Sequence, residues 1–412
     1  MDIQELESGG KKYFWRGLVT GLLIAIMLLC GAYIGQRMVE NRSLASTSEE
    51  SKESVVTDES IEKMYLLQQT IDQYFLEEAD PELLSEGAYK GIIEALDDPY
   101  SSYYSVEELK AIQEQTQGIY YGIGAYIGMD KDVDMARISK VMPGSPAEES
   151  GLLAGDYIYM VGEAYAKGME LEELISKVKG PENSVVMLTI LRETEVEPLE
   201  IEVTRKKIES PTITHETYEN GISYIQITEF DEITLDQFTE ALAEEKAGGM
   251  KGLILDLRDN LGGNLSTVTE IARKILPSGI IVYTEDKYGE RVEYTCDGKN
   301  ELMVPIVVLV NGNSASASEI LAGAIKDYKK GTLIGTTTYG KGIVQRIISL
   351  SDGSAVKLTV SSYFTPNGNN IHEVGIEPDE ILELDVEAYV NEKKDNQLDR
   401  ALEVMNEQIK AN

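Results

Sequence analysis

The stretch that decides the fold is VPIVVLVNGNSASASEILAGAIKDY, Val304–Tyr328, followed by GTLIGTTTYGKGIVQRIISL, Gly331–Leu350. The unbroken apolar run Pro305–Val310 predicts a buried strand. Beyond a turn of small residues, Ile320, Leu321, Ala324, Ile325 and Tyr328 recur at helical spacing. A serine therefore stands where a strand becomes a helix. Unpaired main-chain N–H groups and the helix dipole favour developing negative charge at such a point, which suits acyl transfer. Further on, Lys341 lies between Gly340 and Gly342 on a tight loop, ahead of a strand predicted over Val344–Leu350. The even offset from Lys341 to Gln345 puts both on one face if the segment is extended.

A serine nucleophile needs a base, and the two histidines, His215 and His372, stand in no catalytic context. A lysine can serve if burial lowers its pKa from about 10.4 towards 7–8. The local pattern leaves the nucleophile open, because Ser314, Ser316 and Ser318 compete. Ser316-x-x-Glu319 is also a capping box, a purely structural alternative.

Composition narrows the partners. The 412 residues suffice for two or three domains, and the formal charge of -35 excludes a polyphosphate partner such as nucleic acid. Two cysteines, Cys30 and Cys296, provide no disulfide framework. No metal-ligand cluster or phosphate-cradling loop is present in the sequence, so neither metal nor cofactor is expected.

Taken in order, residues 1–16 read as a cytoplasmic tail. The uncharged run Gly17–Gln36 has the helical rise to cross a bilayer, with Lys11, Lys12, Arg16, Tyr13 and Trp15 as its inner flank. Cleavage as a secretory signal, or lipidation at Cys30, are alternatives; each leaves the bulk of the chain outside the cytoplasm. Residues 37–58 read as a Ser-rich linker and 59–117 as a helical region. There Met64, Leu67, Ile71 and Tyr74 recur, Asp80-Pro81 starts a helix, and Ser105-x-x-Glu108 caps another. DDPYSSYY, Asp97–Tyr104, is a turn. Residues 118–206 change to short strands and turns. After residue 207 come strands Ile222–Ile227 and Gly252–Leu257, helices Leu235–Lys246 and Leu265–Leu276, and the Gly-rich turn LRDNLGG. Residues 391–412 end in an amphipathic helix.

NGNSASASEI, GKGIVQ and YFTPNGNNIHEVGIEPD together resemble the carboxy-terminal processing, or tail-specific, serine peptidases, from about residue 58 to the C-terminus. The resemblance implies a mixed α/β fold: an N-terminal transmembrane helix, a helical segment, and a PDZ domain inserted before a crotonase-like ββα serine-peptidase core spanning 207–390. It selects Ser316 as nucleophile, Lys341 as base and Gln345 as its support, with Gly262 and Ala317 as oxyanion-hole amides. Leu261 stands where the family usually has proline, and Asp327 matches an acidic position read as structural. GSPAEESGLLAGDYIYMVGE, Gly144–Glu163, resembles a PDZ module. This implies that the loop Tyr121, Gly122, Ile123, Gly124 binds a terminal carboxylate while the adjacent strand edge takes an extended peptide.

The expected activity is thus a cell-membrane, single-pass endopeptidase with its catalytic region outside the cytoplasm. Its partners are proteins with free apolar C-termini, and homodimers through the N-terminal helices fit the family. An inactive PDZ scaffold and a hydrolase or lyase of small acyl compounds are the competing readings.

Overall fold

The computed structural model describes residues 54–411. The expected cytoplasmic tail, transmembrane helix, Cys30 and most of the linker lie outside them. Among the described residues no helix is long and apolar enough to cross a membrane. The chain divides between Leu84 and Ser85 into two compact units. In the first, helix Asp58–Tyr74 starts at Thr57, whose hydroxyl accepts the Ser60 N–H at 3.1 Å.

In the second unit, the box expected at Ser105 forms. Its hydroxyl accepts the Glu108 N–H at 3.2 Å, and Glu108 accepts the Ser105 N–H at 2.9 Å, starting helix Val106–Gln117. Gly118, in the left-handed region at φ 70°, ends that helix. The strands that follow build their own core. Ala125–Asp130 is the edge of a sheet that continues through Met135–Val141, Tyr157–Val161, Val185–Leu191 and Leu199–Thr204. Ile138, Ile158, Leu188 and Ile190 are fully buried there, with Leu152 and Leu174 from the connecting segments. A buried Asp156 pairs with Arg192 at 2.7 Å.

The largest body is a six-stranded sheet in the order Ile213–Tyr218, Ile222–Ile227, Gly252–Asp256, Ile306–Val310, Gly331–Gly335, Glu380–Ile381. All neighbours are parallel except the first pair. The two central strands, Gly252–Asp256 and Ile306–Val310, are buried on both faces, which is why they read as continuous apolar runs, whereas the edge strand Ile213–Tyr218 is largely exposed. Leu253, Leu255, Ile306 and Val308 meet helices Thr234–Ala247, Leu265–Ala272 and Ala317–Asp327 on one side. Ile254, Val307 and Leu309 meet Ala401, Val404 and Met405 of helix Asn396–Ala411 on the other. That period-two alternation is the strand pleat.

A second, antiparallel sheet was not expected from the sequence. Ala355–Phe364 pairs with Ser102–Tyr104, Gly279–Asp286 and Ile343–Ser349, and Arg291–Cys296 extends it. It carries the lysine loop, whereas the parallel sheet carries the serine.

Candidate active site

Strand Ile306–Val310 delivers the chain to Asn311–Ala315, and helix Ala317–Asp327 begins immediately after Ser316. The structure separates the three serines. Ser314 and Ser318 are fully buried, and their hydroxyls donate to the carbonyls of Leu257 (2.7 Å) and Asn260 (2.9 Å). Ser316 is half-buried and lines a pocket of about 280 Å³ with Lys341, Gln345, Leu261, Gly263 and Tyr363. Its φ of 52° is unusual for a non-glycine residue. Such a conformation persists where the surroundings over-determine it, and here they do. The Ser316 N–H donates to Glu319 at 2.9 Å, and its carbonyl accepts the buried Tyr363 hydroxyl at 3.1 Å.

Glu319 is the residue that sequence reasoning missed as more than a cap. It is fully buried. Besides Ser316, its carboxylate accepts the N–H groups of Gly340 (2.7 Å) and Lys341 (2.8 Å) and the Thr338 hydroxyl (2.6 Å). A buried carboxylate is tolerated when donors surround it. This one fastens the serine turn to the lysine loop. The box Ser316-x-x-Glu319 was its visible signal; the reach to the second loop needs the folded chain.

Lys341 is half-buried. Burial pushes its ammonium below the ordinary lysine value and Lys357 adds to that, while Asp98 and Glu319 oppose it. Its Nζ sits 4.6 Å from the ring centroid of Tyr100. Gln345 lines the same pocket, but its amide donates to Thr359 Oγ1 at 3.3 Å. The support expected from Gln345 is thus not made by a direct bond to the amine in this conformation. Lys341 precedes the strand, which begins at Ile343, so the even offset of an extended segment is not what brings Lys341 and Gln345 to one pocket.

The turn LRDNLGG abuts the serine. Gly262 has φ 110°, and a Cβ there would lie 2.8 Å from Ser316 Cβ, so no side chain fits. Its N–H, expected to be an oxyanion donor, is already given to Asn260 Oδ1 at 2.8 Å. In this conformation that N–H is not free for a carbonyl oxygen. Gly263, not Gly262, lines the pocket with Ala317, at the helix N-terminus. Asn260 is itself fully buried, and its carbonyl also accepts the Ala315 N–H at 2.9 Å. At the turn's start, Asp256 and Asp395 hold Arg258 at 2.6 and 2.8 Å, tying the turn to the C-terminal helix. Asp327, at the far end of the serine helix, accepts the Asn367 N–H at 2.8 Å, a structural contact.

In the preceding module, Tyr121 and Gly122 belong to strand Ile119–Gly122, paired with Lys206–Glu209. The turn expected over Tyr121–Gly124 is therefore shorter. Ile123 points into the module's core, and Gly124 takes φ 76°.

Comparison with known proteins fixes the family. Residues 221–382 match peptidase family S41, 137–192 a PDZ domain, and 25–108 the N-terminal domain of the activating protease CtpB. The carboxyl-terminal-processing protease of Synechocystis sp. is 35% identical over 300 residues, 72% of this chain and 70% of that protein. Carboxy-terminal processing protease CtpA of Bacillus subtilis is 33% identical over 374 residues, 90% of this chain and 77% of its own. The chain belongs to the S41 carboxy-terminal processing proteases. Among solved structures of this family's kind, a photosystem II D1 C-terminal processing protease shares 31% identity with TM-score 0.46. It covers 77% of this chain and 86% of its own.

Proposed function

We propose that this family member is a membrane-anchored endopeptidase working through Ser316 and Lys341 on extracytoplasmic proteins chosen by their C-termini. One observation carries the reading. Of the three competing serines, Ser316 alone lines the pocket that Lys341 shares, and one buried carboxylate braces both main chains. Neutral Lys341 takes the Ser316 proton as Oγ adds to the scissile carbonyl. The C–N bond then breaks, and the proton passes to the leaving amine. Water attacks the resulting ester and gives its proton to Lys341; the acyl C–O bond then breaks and Lys341 passes that proton to Ser316 Oγ, which frees the serine and leaves the amine neutral. The amides of Ala317 and Gly263, which line the pocket, are the donors for the oxyanion, and the Gly262 N–H joins them once it leaves Asn260 Oδ1. Lowering of the Lys341 pKa by burial supports its part as base. Gln345 stands within the same pocket to steady the amine when it turns to the serine.

Edge strand Ala125–Asp130, with helix Leu171–Val178 beside it, supports addition of a substrate tail as an extra strand, with its carboxylate near Gly122–Gly124. The uncharged run Gly17–Gln36 supports the anchor. The test uses the full-length protein and one unstructured substrate, ending either in free apolar residues or in aspartates. Faster cleavage of the apolar tail, lost in Ser316→Ala, supports the proposal. Tail binding without cleavage by the unmutated protein identifies a scaffold instead.

A further inference from the structure

The lysine is met by a segment that the sequence shows only as a turn. Asp97–Tyr104 brings the face of Tyr100 to 4.6 Å from Lys341 Nζ, inside the ~6 Å over which an aromatic quadrupole holds a cation. The ring is braced from several sides. The Tyr100 N–H donates to Asp98 Oδ1 at 3.0 Å and the Ser101 hydroxyl donates to Asp98 Oδ2 at 2.6 Å. Ser102–Tyr104 then pairs with Ala355–Lys357. Ser101 Oγ also accepts the Thr359 N–H at 3.2 Å, and Thr359 is the residue that engages Gln345. The turn thus touches both the amine and its neighbouring glutamine. Among the described residues, no hydrogen bond joins Lys341 Nζ to Ser316 Oγ, although both line one pocket.

We propose that Tyr100 is a positioning residue for the base: its ring face seats the Lys341 ammonium, and the amine leaves that seat to take the Ser316 proton. This rests on the Ser316–Lys341 reading above. The groups facing Lys341 divide by sign. Asp98 of the turn and Glu319 of the serine helix favour the ammonium; Lys357 of the antiparallel sheet disfavours it, as does burial. The ring of Tyr100 joins the first group. Its own phenol is pushed up to about 12, first by the neighbouring Tyr339 hydroxyl and then by burial, so a neutral ring faces the lysine across the working pH range. The seat and desolvation oppose each other, and their balance sets the pH at which a neutral amine becomes available.

The experiment is the pH profile of kcat/KM of the full-length protein on a quenched fluorescent peptide with a free apolar C-terminus. A partner that stabilises the ammonium raises the pKa of the amine, so its removal moves the acid limb to lower pH. In Tyr100→Leu that limb is expected to fall by about 0.4–1.5 pH units, whereas Tyr100→Phe, which keeps the ring face, leaves it in place. Phenylalanines carrying one, two and three ring fluorines at position 100 keep the shape and weaken the quadrupole. The limb then steps downward along the series even if Tyr100→Leu does not fold. A limb that stays fixed along the fluorinated series overturns the proposal, as does an equal shift in Tyr100→Phe and Tyr100→Leu. Failure of the underlying reading looks different: Lys341→Met then keeps wild-type turnover.

Discussion

The serine and the lysine face the same pocket but are held in different ways. On the serine side the main chain does the holding. Ser316 sits at φ 52° between a strand and a helix, its N–H and carbonyl are both bonded, and Gly262 packs against it with no space for a Cβ. On the lysine side the main chain is fixed by Glu319, yet the long side chain is held by an aromatic face and by partial burial. The backbone that carries the hydroxyl is thus fixed in place, while on the proposed reading the amine has a seat it can leave. A nucleophile gains from fixed geometry, whereas a base that must accept and return a proton needs freedom to change partners.

That contrast can be broken or sharpened by substitution. The largest effect is expected in Ser316→Ala, which lowers turnover by about 10⁴-fold or more with an unchanged urea midpoint; comparable cleavage by the variant breaks the account. Next comes the brace shared by both sides. Glu319→Ala leaves three N–H groups and the Thr338 hydroxyl without their acceptor. Stability falls by roughly 3–5 kcal/mol, read by urea unfolding, while Glu319→Gln, which keeps an oxygen, loses less.

A third test probes rigidity beneath the serine side. Asp231 follows Phe230, whose main chain receives the glycine turn, and is 7% exposed. Burial, with Glu229 nearby, pushes its carboxyl up to about 7. A carboxyl whose folded pKa lies above its unfolded value holds its proton better when folded. Stability is therefore lost as pH rises from about 4 to 7, and the loss stays constant above that. Asp231→Asn should stabilise the protein at pH 8 by roughly 1–3 kcal/mol and not at pH 4, with kcat unchanged. A thermal midpoint difference independent of pH contradicts the assignment. The smallest effect is expected on the lysine side. Gln345→Ala, which frees Thr359 and removes a pocket wall, reduces turnover by about tenfold and barely moves the thermal midpoint.

Local pattern made three of the six strands of the parallel sheet legible, those near Ile222–Ile227, Gly252–Asp256 and Ile306–Val310. Strand Ile222–Ile227 occupies the residues expected, and the serine strand and the helix expected over Leu235–Lys246 differ by one residue at their ends. Continuous apolar runs and caps are local signals, and they survive folding. The antiparallel sheet was not legible, because Ser102–Tyr104 finds its partner at Ala355–Lys357, far along the chain, and no local period announces such a pairing. The same limit applies at the site. Ser316, Lys341 and Gln345 were readable and do line one pocket. The engaged N–H of Gly262, the multiple donors on Glu319 and the ring of Tyr100 over Lys341 depend on which loops meet in space.

The most direct measurement is cleavage of an apolar-tailed protein substrate by Lys341→Met, whose side chain keeps much of the lysine's length and has no base, beside the unmutated protein across pH 5–10. The account predicts loss of turnover in the variant at every pH. In the unmutated protein it predicts an acid limb below the ordinary lysine range of about 10.4. Wild-type cleavage by Lys341→Met, with the same limb, would contradict it.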